Sequence, residues 1–187
     1  MIDERFDEKM ALASDSNTSA EELENLATDN TWCIRVAVAK NLKTPAETLI
    51  RLATDDKLSV CDANYRLRDA LVDNPNTPLL ALKALANDYG VMYGVARHKN
   101  ASIELIREMM NKYHNDIHIA DELFARLRAC EDQELLKSFA DDELIICREA
   151  VAGNCNTPDE VRKKLLNDES IVVRRAAEPK KAPRWIG

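Results

Sequence analysis

The stretch "NPNTP" occupies residues 74–78, between "RDALVD" and "LLALKALAND". Close copies stand at 41–45, "NLKTP", and at 154–158, "NCNTP". A phrase written three times is either a ligand motif used repeatedly or punctuation that starts a helix. The residues after it favour punctuation. Leu49, Leu52 and Ala53 follow the first copy at helical spacing, and Leu82, Leu85 and Ala86 follow the second. In Thr44-Pro45-Ala46-Glu47 and Thr157-Pro158-Asp159-Glu160 the threonine is expected to cap the helix. Proline then takes the first helical position, where no N–H is needed, and glutamate closes a capping box. A cap of this kind contributes about 1 kcal/mol.

Weaker forms extend the series. "DSNTS" begins at Asp15 and contains Thr18-Ser19-Ala20-Glu21, "HKNAS" begins at His98, and Arg128 precedes the helical "ELLKSFADD". Units therefore begin near 15, 41, 74, 98, 128 and 154, at intervals of 24 to 33 residues. Their first helix ends at or beside an aspartate: Asp29, Asp55, Asp88, Asp142, Asp168. A second segment follows, as in "CIRVAVAKN" at 33–41, "RDALVDN" at 68–74, "CREAVAGN" at 147–154 and "VRRAAEPK" at 173–180. Ala37, Ala70, Ala150 and Ala176 recur at one place in it and predict close helix approach. "EKMALASD" at 8–15 aligns with "IRVAVAKN" at 34–41. Residues 1–14 thus read as a partial opening unit, and 178–187 as a partial closing unit and tail. Units this short cannot bury their own apolar faces, so stacking must supply the core. The expected architecture is one all-α repeat domain over 1–187.

Composition agrees. Of the 187 residues 45% are apolar and 32% charged, while aromatics reach 5% and glycines number four. Helix formers dominate, and the material for a β-sandwich is thin. Four glycines build no convincing phosphate loop. A net charge of −7 argues against a surface that grips nucleic acid all over. No apolar run approaches a membrane span of about 18 residues, and the start "MIDERFDEKM" lacks the apolar core of a signal peptide. Five cysteines at 33, 61, 130, 147 and 155, without CxxC pairs, predict free thiols in a reducing, cytoplasmic setting.

The unit resembles the leucine-rich repeat variant family, whose repeats run close to "LAxDxxxxVRxAVAxNPxTPxExL". "LATDNTWCIRVAVAKNLKTPAETL" at 26–49 follows that pattern almost letter by letter. The resemblance is strong at 15–55 and 142–183, and the chain is also similar to HEAT-like and armadillo-type repeats. It implies a right-handed α-solenoid of about six two-helix repeats, with α-helices alternating with shorter α or 3-10 helices. The founding member's N-terminal iron–sulfur cysteine cluster has no counterpart, since the first cysteine is Cys33. No cofactor is expected. The second segments at 56–73 and 112–127 exceed the pattern and predict full α-helices.

Four sets of residues carry candidate chemistry. Asp29/Arg35, Asp142/Arg148 and Asp168/Arg174 are each spaced by six and suit a structural ladder, because a guanidinium bridges carboxylate and carbonyl oxygens. His114, His118 and Glu122 stand at i, i+4 and i+8, a weak candidate metal face if one helix carries all three. Asn64, Tyr65, Arg66, Tyr89, Tyr93, His98 and Tyr113 surround the irregular units and are the candidate partner-binding set. Cys33, Cys61 and Cys147 occupy apolar positions and read as small hydrophobes, not nucleophiles.

The sequence thus predicts a non-enzymatic scaffold binding a protein or peptide along one face of the stack, with no membrane contact. The alternative is a nucleic-acid binder whose Arg35, Arg66, Arg68, Arg97, Arg126, Arg128, Arg148 and Arg175 line a concave groove.

Overall fold

The computed structural model describes residues 5–55, 62–114 and 116–179, with side chains from Tyr65 onward in the second stretch. Cys61, the side chain of Asn64 and the tail from 180 lie outside the described residues. The chain is all-α. Among the described residues there are thirteen α-helices and no strand. The chain divides into two compact units, Met1–Met109 and Met110–Gly187.

The first unit contains α1 (Phe6–Ser14), α2 (Ala20–Leu26), α3 (Trp32–Lys40), α4 (Ala46–Thr54), α5 (Asp62–Asp73), α6 (Leu79–Leu85) and α7 (Met92–Arg97). Helix α8 (Ile103–Lys112) follows. In one row α1 packs on α3, α3 on α5 and α5 on α7, while α4 packs on α6 in a second layer. Leu23, Ile34, Leu49, Leu71 and Leu82 fill the space between and are fully buried. Each contributes about 1.5–3 kcal/mol.

The second unit contains α9 (Ile117–Ala129), α10 (Gln133–Phe139), α11 (Ile145–Gly153), α12 (Asp159–Leu165) and α13 (Ile171–Ala177). Here α9 packs on α11 and α11 on α13, with α10 and α12 against α11. Leu123, Leu127, Leu136, Val151 and Val173 form the centre.

Several expectations change. The second helices are α-helical and mostly not the shorter partners: α3 and α11 have nine residues against seven in α2 and α10, α13 equals α12 at seven, and α7, with six against seven in α6, is shorter. Their Ala- and Val-rich runs contain nothing that breaks an α-helix. The turn phrase after α9 is anchored at its C-cap, Cys130, two residues past the expected Arg128. Of the recurrent alanines, Ala70 and Ala150 are fully buried, as are Ala13, Ala39 and Ala152. By contrast, Ala37 and Ala176 are only half-buried.

The threonines do a different job from the one expected. Helices α4, α6 and α12 start after Pro45, Pro78 and Pro158, with no side-chain cap. Proline holds the residue before it extended. The hydroxyls of Thr44, Thr77 and Thr157 instead donate backwards to the carbonyls of Val38, Leu71 and Val151. These carbonyls lie in the last turn of the preceding helix, where those of Val38 and Val151 also accept from the N–H of Asn41 and Asn154. Thr18 likewise donates to Leu12, and the capping box of α2 forms between Ser19 and Glu22 rather than from Thr18 and Glu21.

Candidate functional site

The polar residues of the turns join successive helices. Asn41 Nδ2 donates to the carbonyls of Ala13 (3.0 Å) and Asp15 (2.9 Å) at the end of α1. Asn74 Nδ2 does the same to Ala39 (2.7 Å) and Asn41 (3.2 Å), and Asn154 Nδ2 to Leu127 (2.6 Å) and Cys130 (2.8 Å). In each case Oδ1 accepts from the backbone N–H two residues on, at Lys43, Asn76 and Asn156. These bonds tie one helix C-terminus to the next, so the row helices run parallel within each unit.

His98 belongs to this series, which corrects its place among the partner-binding candidates. It is 7% exposed. Its Nε2 lies 3.0 Å from the Asn74 carbonyl, and its Nδ1 accepts from Asn100 N at 3.1 Å. The acceptor role fixes the neutral tautomer with hydrogen on Nε2. An imidazole supplies one donor where an amide supplies two; the Asn100 side chain donates to Pro75 and Thr77, as Asn76 and Asn156 donate to Leu42 and Cys130 at the other turns.

The aspartates start the row helices. Oδ1 of Asp29, Asp88, Asp142 and Asp168 accepts from the N–H of Thr31, Gly90, Leu144 and Ser170. Arg35, Arg148 and Arg174 each donate to two carbonyls of that same turn. Across layers the pairing is offset by twenty residues: Lys9 meets Asp29, Arg68 meets Asp88, and Arg148 meets Asp168. The hydrogen bond from Lys9 holds Asp29 below the usual carboxylate range against the opposing effect of burial. Burial pushes Asp168 up, but hydrogen bonds from Arg148 and Ser170 N–H outweigh it and leave it lowered.

The metal face does not assemble. His114 has φ of 53° in the turn after α8, whereas His118 lies in the first turn of α9 behind the Asp116 cap. Helix α8 ends at Lys112 and α9 starts at Ile117, so no one helix carries both and the i, i+4, i+8 premise fails. Glu122 pairs with Arg126 at 2.7 Å. Among the described residues no group of three or more His, Cys, Asp or Glu is placed to hold a metal ion. No disulfide joins the described cysteines.

What remains on the surface is a groove of about 900 Å³ over α3 in the first unit. Val36, Ala37 and Ala70 form its floor, and Met10 and Ser14 of α1 form one wall. Tyr65, Arg66, Asp69 and Asp73 of α5 form the other. At one end Trp32 is 39% exposed and Tyr65 49% exposed. The Arg66 guanidinium sits 5.7 Å from the Trp32 ring centre, a cation–π contact. At the other end are Lys40, Asp69 and Asp73, all exposed. Burial and the neighbouring Asp73 charge push Asp69 up, with Lys40 opposing.

The groove gathers Tyr65 and Arg66 from the expected partner-binding set. Tyr89 and Tyr93 are exposed elsewhere in the first unit, and Tyr113 belongs to the second unit, where Lys112 lies over its ring. Sequence reasoning missed Trp32, Lys40, Asp69 and Asp73. Trp32 stood inside the stretch that follows the repeat pattern best. The available signal was an aromatic at the first helical position, where α11 and α13 carry the exposed Ile145 and Ile171.

Set against protein-family models, curated proteins and solved structures, the chain matches none. Among the described residues no helix is long and apolar enough to cross a membrane.

Proposed function

We propose that this chain is a non-enzymatic interaction module that binds a protein or peptide segment in the groove over α3. The observation that supports it is the groove itself, with two half-exposed aromatic rings above a floor of small residues. Tyr, Trp and Arg are the side chains from which binding hot spots are built. The proposed scaffold is a cytoplasmic α-solenoid of leucine-rich repeat variant or HEAT-like units. Its support is the recurrence of one set of turn bonds at Asn41, Asn74, His98 and Asn154. The solenoid would show a radius of gyration above the ~16 Å of a compact globule of this length. A scattering value at or below that would count against it.

Of the eight arginines of the nucleic-acid reading, Arg97 and Arg175 are exposed, but five others do not favour it. Arg35, Arg68, Arg126 and Arg148 are engaged with carbonyls or carboxylates of their own unit, and Arg66 lies over Trp32. A phosphate-tracking face needs such cations turned outward.

The test is affinity capture from the native host with the wild-type chain and with Trp32→Ala/Tyr65→Ala. The expected result is a partner retained by the first and lost by the second. An unchanged partner set would overturn the assignment of this surface.

A further inference from the structure

The groove has a chemical polarity that narrows its occupant. Its Trp32–Tyr65 end is apolar and its far end is charged. Asp69 and Asp73 are one turn apart on the same face of α5, where like charges repel. Among the described residues neither side chain makes a hydrogen bond or an ion pair, and Lys40, which also lines the groove, opposes the rise of Asp69 through space. Asp73 also occupies the last turn of α5, which has no basic residue to balance the negative end of the helix. The last turn of α1, which runs parallel beside α3, has none either. Two carboxylates, one of them in the last turn of α5, therefore share the groove end with one lysine. The other groove cation, Arg66, is held over Trp32 at the opposite end.

We propose that the groove recognises a peptide segment carrying a lysine or arginine, its cation between Asp69 and Asp73, together with an apolar side chain between Trp32 and Tyr65. This deepens the interaction-module proposal and rests on it. The span follows from α5. Tyr65 precedes the Asp69–Asp73 pair by four to eight residues, or roughly 6–12 Å at the helical rise. A polyproline-II segment, rising about 3.1 Å per residue, covers that span in about three residues. The recognised pattern is thus an apolar residue with a basic one three positions away in a polyproline-II segment, whose threefold repeat sets both side chains on one face. Charge complementarity selects the cation, and the aromatic pair selects its apolar neighbour.

The test is an NMR titration of the full chain, following backbone amides. Three capped hexapeptides are compared: Ser-Phe-Ser-Ala-Lys-Ser, the same with norleucine for lysine, and the same with glutamate. The lysine peptide is expected to shift amides within 32–41 and 65–73, and the glutamate peptide to bind at least tenfold more weakly. In Asp69→Asn/Asp73→Asn the lysine and norleucine peptides are expected to bind alike. Both aspartates are exposed, so the variant should keep its helical circular dichroism. Equal binding of the lysine and glutamate peptides would overturn the proposal. So would shifts confined to other faces, or no binding at millimolar peptide. A short DNA duplex shifting the same amides would overturn it in favour of phosphate binding. If these peptides fail while a captured host protein still depends on Trp32 and Tyr65, only the charge selectivity falls. If both fail, the groove is not the binding face.

Discussion

Helices α3 and α11 occupy corresponding places before the same turn phrase, yet one carries an open groove and the other a covered face. Counting back from Asn41 and Asn154, Ala37 matches Ala150 and Lys40 matches Gly153. Ala37 is half-buried and lines the groove, whereas Ala150 is fully buried. In the second unit the Arg128 guanidinium lies on Gly153, in space that any side chain there would need. The two regions share their turn chemistry and differ in what covers the row helices. Structure is thus repeated while the surface is not, and function is to be sought where the cover is missing.

The largest expected effect tests how differently the two units use charge. Arg148 and Asp168 are nearly buried, with side chains 9% and 8% exposed, while Lys9 on Asp29 is 33% exposed. Arg148→Met strands a buried carboxylate and should cost about 3–5 kcal/mol in urea unfolding. Lys9→Met should cost about 1 kcal/mol or less. Equal losses would erase the distinction.

The amide bonds are common to both regions, so their removal should cost both alike. Asn74→Ala leaves the Ala39 carbonyl and the Asn76 N–H without a partner, Asn154→Ala takes one of two donors from the Leu127 and Cys130 carbonyls and leaves the Asn156 N–H unpaired, and each should lose about 2–3 kcal/mol. His98→Asn restores the amide at the junction where imidazole replaces it, and should change stability by less than about 1 kcal/mol, in the range of a tolerated substitution. A loss as large as that of Asn74→Ala would mean that His98 is not an equivalent member of the series.

Acid sharpens the contrast. Asp29 and Asp168 titrate below the usual carboxylate range in the folded chain. Their contribution is full above the unfolded value near ~4 and is lost as pH falls through the lower folded values. Lys9→Met and Arg148→Met should therefore flatten the acid limb of urea midpoint against pH. Asp69 has the opposite sign. Its raised folded value makes its charge oppose folding as pH rises through the window above ~4. Asp69→Asn should thus raise the midpoint slightly above pH 5, and no gain would show the groove acids to be already compensated.

The smallest stability effect carries the functional contrast. Trp32→Ala and the matched Ile145→Ala remove half-exposed side chains, and each should cost under about 1 kcal/mol. Only the first should weaken partner binding, by tenfold or more.

Much of the fold was legible because the turn phrase marks where each helix begins, and the apolar spacing after Thr44 and Thr77 permits little else. What the phrase does was less legible. Local spacing suggested that threonine caps forwards, whereas its hydroxyl reaches back to the previous helix. Asn74 looked like a turn residue because its partners at Ala39 and Asn41 lie a whole unit away in sequence. His98 looked functional because it broke the pattern, yet its ring nitrogens satisfy the same geometry as the amide. The groove was half visible through Tyr65 and Arg66. Its acids and Trp32 were hidden, since only the packing of α1, α3 and α5 brings them to one face.

The most direct test is hydrogen–deuterium exchange on the chain, free and bound to its captured partner. Binding in the groove predicts added protection within 32–41 and 65–73 and none within 145–153. Protection centred on 145–153, or spread evenly over both units, would contradict it.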